Sequence, residues 1–311
     1  MWGSAGGKPA LLGDPLLWAL AAFGATGALA YAHALGVGDA ARVTALLWTA
    51  EVTVPAALGM LLLGDAVRPG WLPWTVPALA AAVAAAAVLA AAAPAAQAQV
   101  TVVLDPGHNR YPNLGYEPIG PGSSTLKIKD GGGTHGVVTG QSEATVVLRI
   151  ARRLRTLLRA DGLHVVMTRQ RTCCRSKGNI ARAEIANHAH AALFLRIHAD
   201  GSTDHAVRGT SMLYPALHAG WTDDIYGRSR QAARIVQSRL LRWLGWPDRG
   251  LVPRSDLTGF NWANVPAILT EVGFLTNPGE DRALATRHTV RRIARGLEGG
   301  VLHYLAARGL R

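Results

Sequence analysis

A chain of 311 residues has room for about two domains, and its charge is divided unevenly along its length. Residues 1–100 hold three basic and four acidic side chains, whereas 101–311 hold 29 and 16, a net of +13. The second part therefore favours an anionic partner, whether nucleic acid, anionic lipid or an acidic cell-wall polymer, and charge alone does not choose among these or a purely solubilising role. The two cysteines, Cys173 and Cys174, are adjacent, which excludes the spaced ligands of a zinc knuckle; chain neighbours rarely pair with each other, so both read as structural, with disulfide formation not decided by the sequence.

Three apolar stretches fill the first hundred residues: 16–35, 43–63 and 74–93. Each matches the roughly 20 residues that a membrane-spanning helix needs. The connectors GVGDAAR and GDAVRPGW are turn-like and carry most of the charge. Three spans put the two ends of this segment on opposite sides of a bilayer. Lys8 and Arg68 on the inside, against Arg42 outside, send the rest of the chain out. The third stretch ends AAAPAAQAQ, a run of small residues that also reads as a signal-peptide cleavage site near Ala98. An uncleaved anchor and a cleaved leader both export the C-terminal part. Glu51, near one end of the second stretch, is open to a functional or an interfacial reading. The stretch ALLWTAEVTVPAALGMLLLGDAVRPGW resembles the closing part of a drug/metabolite-type transporter, although three helices cannot rebuild one, so the segment reads as an anchor.

From Val100 the pattern alternates between strand and helix. TVVLD is a strand, and a Gly/Pro-rich loop over 111–140 containing DGGGTHG comes after it. A helix is expected over 142–160, a strand over 163–169, a helix over 180–189 and a strand over 191–200. A further strand at 209–215, a helix over 224–244, a strand at 265–274 and a basic helix from Pro278 complete the order. No internal repeat is visible. The fold class this implies is α/β, a twisted, mostly parallel central sheet flanked by helices, preceded by an all-α transmembrane segment. The expected domains are 1–97 and 98–311. A loop of 30 residues is long for a compact domain, and such loops are usually functional or mobile.

Polar residues interrupt the apolar patterns at element ends. His108 comes after TVVLDPG on a Pro-Gly turn, and His198 and Glu271 come late in LFLRIHAD and AILTEVGF. Glu143 precedes Val147 by four residues and so shares the inward stripe of its helix. In open α/β sheets, ligands bind where strands end. Two histidines and one glutamate form a ligand set for a catalytic zinc, and a second glutamate can act as its base. Singly, each residue is as well read as a turn group or a helix-dipole partner, and the spacings carry no metal signature such as H-E-x-x-H.

The segments VVLDPGH, SEATVVLRIARRL, LFLRIHAD and ILTEVGFLTNPGE together resemble the landmark segments of zinc-dependent N-acetylmuramoyl-L-alanine amidases of the amidase-3 type, in order, over nearly all of 100–308. The resemblance implies one zinc held by His108, Glu143 and His198, with Glu271 as catalytic base and peptidoglycan or muropeptides as substrate; nucleic acid is not an expected partner. It also implies supporting roles for Arg182 and Asn187. Asp105 is a candidate partner orienting His108. Arg196 stands where many members of that family have Ser, and Asp200 where Asn is common. Arg196 and His135 are the candidates for substrate contact. The expected location is the cytoplasmic membrane with the catalytic domain on its outer face. A non-catalytic muropeptide-binding module and a regulatory part of a transport component are the alternatives, and retention of all four polar positions favours the enzyme.

Overall fold

The computed structural model describes residues 99–311, with three isolated helical positions, 77, 80 and 84, before them. The expected membrane spans, Glu51 and the transporter-like stretch lie outside the described residues. Among the described residues, no helix is long and apolar enough to cross a membrane. The chain divides at Ala98/Gln99, and the architecture described is that of the unit Gln99–Arg311.

Its strands are β1 (Thr101–Pro106), β2 (Asn113–Pro118), β3 (Leu126–Asp130), β4 (His164–Met167), β5 (Leu193–Asp200), β6 (Thr210–Pro215), β7 (Asp248–Arg254) and β8 (Ala267–Phe274). The helices are α1 (Glu143–Ala160), α2 (Asn179–His188), α3 (Tyr226–Leu244), α4 (Thr258–Asn261), α5 (Pro278–Leu284) and α6 (Arg287–Ala307). Six strands form one sheet in the order β4-β1-β5-β8-β6-β7, and β2 and β3 pair as a separate antiparallel hairpin. All the neighbours in the large sheet are parallel except β8 and β6. The sheet is thus mixed and mostly parallel, as the alternation of strands and helices implies.

Both faces of the sheet are covered, which is why its central strands are nearly continuous apolar runs rather than alternating ones. Alternation still decides which layer each side chain meets. Val102 and Leu104 of β1 and Leu193, Leu195 and Ile197 of β5 pack under α1, α3 and α6. Val103 and Phe194 face the opposite way, among Ala183 and Ala186 of α2 and Phe260 of α4. Residues 105, 196, 198 and 271 have the parity of this second face. Polar side chains at the ends of β1, β5 and β8 are thereby brought side by side in adjacent strands.

Three expectations need correction. The segment 111–140 is not one long loop: β2 and β3 occupy its first part, and Tyr116 pairs with Ile128 across the hairpin. β7 is an additional strand whose Gly250 and Pro253 interrupt the apolar pattern by which strands are read. The basic C-terminal helix is two helices, broken where Thr286 caps α6 by accepting the N–H of Thr289. Cys173 and Cys174 are bonded to each other on an exposed loop.

Candidate active site

β1 ends at Pro106, and the chain turns so that the Gly107 N–H still donates to the Ile197 carbonyl, at 2.9 Å. A Cβ on Gly107 would stand 2.3 Å from the His198 ring, so only glycine allows the turn to approach β5 this closely. His108 itself has φ of 56°, a left-handed conformation that costs a non-glycine residue energy unless its surroundings hold it. Two arginines do so. Arg182 donates to the carbonyls of Pro106 and His108, at 3.2 and 3.0 Å. Arg169, also buried, donates to the carbonyls of Pro106 and Gly107, at 2.9 and 2.7 Å, and to that of Ala144 in the first turn of α1.

The two imidazoles meet edge to face, with ring centres 4.9 Å apart. Glu143, buried at the start of α1, places Oε1 between them, 3.3 Å from His108 Nε2 and 3.0 Å from His198 Nδ1. Backbone N–H groups of Ala199 and Thr134 donate to the two oxygens of Glu143, both at 3.1 Å, and fix its carboxylate. Against its burial, the hydrogen bonds and charges of His108 and His198 hold the Glu143 carboxylate well below its ordinary pKa.

On its far side, His108 Nδ1 lies 2.6 Å from Asp130 Oδ1, which also accepts the Gly132 N–H. An imidazole that donates Nδ1–H to a carboxylate presents Nε2 to the cleft, the arrangement usual for a metal-binding histidine. Burial opposes the charged imidazolium of His108, but the hydrogen bonds and charges of Asp130 and Glu143 outweigh it and push the pKa up to about 10 in the metal-free chain. His198 goes the other way: burial pushes it down, against the pull of Glu143.

Glu271 is the register partner of His198 on β8. Its Oε2 is buried without a hydrogen-bond partner among the described residues. Burial, with the negative charges of Glu143 and Asp200 nearby, raises its pKa well above the usual carboxylate range. His108, Glu143, His198 and Glu271 all line one open cleft of about 540 Å³, together with Gly132–Thr134 and Ala199–Thr203. Ligand atoms of His108, Glu143 and His198 lie within 4.8 Å of one another. The cluster fits a small divalent cation: its donors are two imidazoles and a carboxylate, and His198 Nε2 is buried with no hydrogen-bond partner among the described residues.

The other site expectations fare differently. Asp105 does not touch the His108 ring. It is fully buried, accepts from Arg182, Thr168 and Arg196, and is held far below its ordinary pKa by the two guanidinium groups in spite of burial. The role of orienting His108 falls to Asp130, which sequence reasoning missed although it stands before the Gly131–Gly133 run much as Asp105 stands before Pro-Gly. Arg196 does not line the main cleft but borders a smaller cavity beside His108, Asp130 and His198. Its strand parity directs it beneath the second helical layer, where it donates Nε to Asp105 at 2.9 Å and a terminal nitrogen to Asn179 at 2.6 Å. His135 is exposed, pairs its backbone with Ser142 and is not among the residues lining the cleft. Asn187 bonds Trp262 O and Asn264 N, which ties α2 to the segment before β8.

A further residue hidden from sequence reasoning is Asp281 of α5. It is buried, and its oxygens accept the N–H groups of Val138 and Thr139, the Thr139 hydroxyl and the Gln141 amide, pinning the loop that leads into Glu143.

Comparison with known proteins places this arrangement. Residues 102–303 match the Amidase_3 family model, described as N-acetylmuramoyl-L-alanine amidase. An N-acetylmuramoyl-L-alanine amidase of Mycobacterium tuberculosis is 31% identical over 224 residues, covering 68% of this chain and 89% of the relative. The amidase AmiA of Escherichia coli is 27% identical over 241 residues, covering 65% of this chain and 75% of its own. Among solved structures, the N-acetylmuramyl-L-alanine amidase Ami1 of Mycobacterium smegmatis superposes with a TM-score of 0.61 at 29% identity, covering 67% of this chain and 97% of that one. Since the family model spans more than half of the chain, the protein belongs to the N-acetylmuramoyl-L-alanine amidase family and is an amide hydrolase of the cell wall.

Proposed function

We propose that the chain cleaves the amide bond between N-acetylmuramic acid and L-alanine with one zinc ion held by His108, Glu143 and His198 and with Glu271 as general base. The observation that carries this reading is the convergence of His108, Glu143 and His198 within 4.8 Å beside the unpartnered carboxylate of Glu271. When bound, zinc supplies a Lewis acid that acidifies water and polarises a carbonyl oxygen. Glu271, whose pKa burial and the charges of Glu143 and Asp200 raise in the metal-free chain, would ionise more readily beside a bound cation and so serve as a base. Glu271 then takes a proton from the attacking water and delivers it to the departing L-alanine nitrogen. Asp130 keeps the His108 ring in the tautomer that presents Nε2. The N-terminal segment would hold this domain at the outer face of the cytoplasmic membrane, or be removed near Ala98 after export.

Metal content is the direct test. The full-length protein is expected to contain about one zinc per chain, to lose it to chelator, and to regain heat stability when zinc is restored. Because His108 is protonated at neutral pH in the metal-free chain, zinc binding at pH 7 displaces that proton, so apparent affinity rises with pH. Calorimetry in buffers of different ionisation heat reads the released proton; absence of zinc binding would sink the assignment.

Asp130→Asn tests the orienting contact. Loss of such a carboxylate typically weakens metal binding by about 10–100-fold. The variant should need correspondingly more zinc for activity yet approach wild-type turnover when saturated. An unchanged zinc titration would show that Asp130 only shapes the loop.

A further inference from the structure

The helical layer formed by α1, α3 and α6 carries charge of one sign. Five arginines lie on α1, five on α3 and four on α6, and no lysine is present. The layer's two acids are otherwise engaged: Glu143 lies in the cleft, and Glu298 is paired with Arg295. Charge alone would be a solvated surface, but at one place the layer is concave. A pocket of about 340 Å³ opens where α1 passes the start of α6, lined by Arg149, Arg153, Arg287 and Arg291 with Thr286 and Val290. No acidic residue lines it, and among the described residues none of the four arginines takes part in an ion pair.

Arg149 is built in rather than splayed on the surface. It is half-buried and donates to the Gln141 side-chain oxygen and the Leu284 carbonyl, while its Nε is buried without a partner among the described residues. Gln141 is in turn held by Asp281. Arg153, Arg287 and Arg291 are exposed around it. Four unpaired guanidinium groups converging on one depression repel each other and gain most from an anion that several of them share. A guanidinium fork matches the oxygens of a phosphate in pairs.

We propose that this pocket binds phosphate groups of a phosphodiester polymer, one wall-borne anion at a time, and so tethers the enzyme beside its substrate. The choice of a wall polymer rests on the amidase reading; the phosphate site itself does not. A repeating polyanion suits the arrangement because the surrounding arginines of α1 and α6 extend the positive field beyond the pocket. Arg149 is six residues along α1 from Glu143, a rise of about 9 Å, so a tethered chain would run past the flank of the cleft.

The test compares the full-length protein with two triple variants of equal charge change. Arg153→Gln/Arg287→Gln/Arg291→Gln removes the pocket's exposed rim, and Arg230→Gln/Arg234→Gln/Arg242→Gln removes exposed charges from α3. Binding of poly(glycerol phosphate) is measured alongside sedimentation with phosphatidylglycerol-containing vesicles and hydrolysis of a soluble muropeptide. The pocket variant is expected to bind the polymer at least tenfold more weakly, the α3 variant less than threefold, with soluble hydrolysis unchanged in both. Equal losses in the two variants would mean a diffuse field and overturn the site. Loss of the preference for phosphatidylglycerol-containing over purely phosphatidylcholine vesicles, with polymer binding intact, would assign the pocket to lipid headgroups and overturn the choice of polymer. A wild-type protein that binds polymer but hydrolyses nothing would fail the amidase reading alone.

Discussion

Replacing Glu271 with glutamine is expected to lower the rate of amide hydrolysis by about 10²–10⁴-fold while leaving the fold and the zinc affinity close to wild type. The side chains are nearly isosteric, and the carboxylate is not one of the three groups that converge within ligand distance. What the amide cannot do is accept a proton from water and return it to the leaving nitrogen. In the metal-free chain the substitution also removes the cost of burying an ionisable carboxyl beside Glu143 and Asp200, so the variant should be at least as heat-stable as wild type. Turnover on purified peptidoglycan, zinc content and thermal melting read the three parts separately. Near-normal turnover in a folded, zinc-loaded variant would remove Glu271 from the chemistry.

The largest loss of stability is expected at Asp105, outside the cleft. Its carboxylate is fully buried and neutralises Arg182 and Arg196, which in turn hold Pro106, His108 and Asn179. Removing one partner from a buried ionic cluster typically costs about 3–5 kcal/mol, because the remaining charges stay buried without compensation. Asp105→Asn should therefore melt far below wild type at neutral pH. The pH dependence carries a sign. The pKa of Asp105 is depressed in the folded state, so its stabilising contribution is complete above the unfolded value near 4 and is lost as pH falls toward the folded value. The stability gap between wild type and Asp105→Asn is accordingly expected to be largest at neutral pH and to shrink below pH about 4. A gap that stayed constant down to acid pH would mean that shape, not charge, sets the cost.

The parts of the fold visible in the sequence are those whose apolar runs are long and bounded. β1, β5 and β8 are mostly apolar segments with polar residues late in each, and α1 shows a clear inward stripe, so the elements bearing His108, His198, Glu271 and Glu143 can all be read. The hairpin cannot, because Leu114, Tyr116, Leu126 and Ile128 are exposed and the residue it buries is the charged Glu117, which leaves no apolar face to set a period. β7 is hidden by Gly250, Pro253 and flanking arginines.

Within the site, spacing locates groups at strand ends but says nothing of which polar groups satisfy each other. Asp105 and Arg196 are register partners on adjacent strands, so their parity directs them to one another under the helices. Read one residue at a time, each instead looks available to the cleft. Asp130, which does reach His108, sits at the end of a strand the sequence conceals. Arg169 looks like an ordinary strand-terminal base, and its five donations become evident only once the turn at Pro106–His108 is placed beside it.

Zinc-dependent cleavage of the bond to L-alanine can be read by mass spectrometry of purified peptidoglycan after incubation with the full-length protein, with chelator and with chelator and then zinc. Stem peptides with a free L-alanine amino terminus and glycan with free lactyl carboxyl groups are expected, absent under chelator and recovered with zinc. Release that survives complete removal of metal, or fragments cut within the glycan or the stem peptide, would contradict zinc-dependent cleavage of that bond.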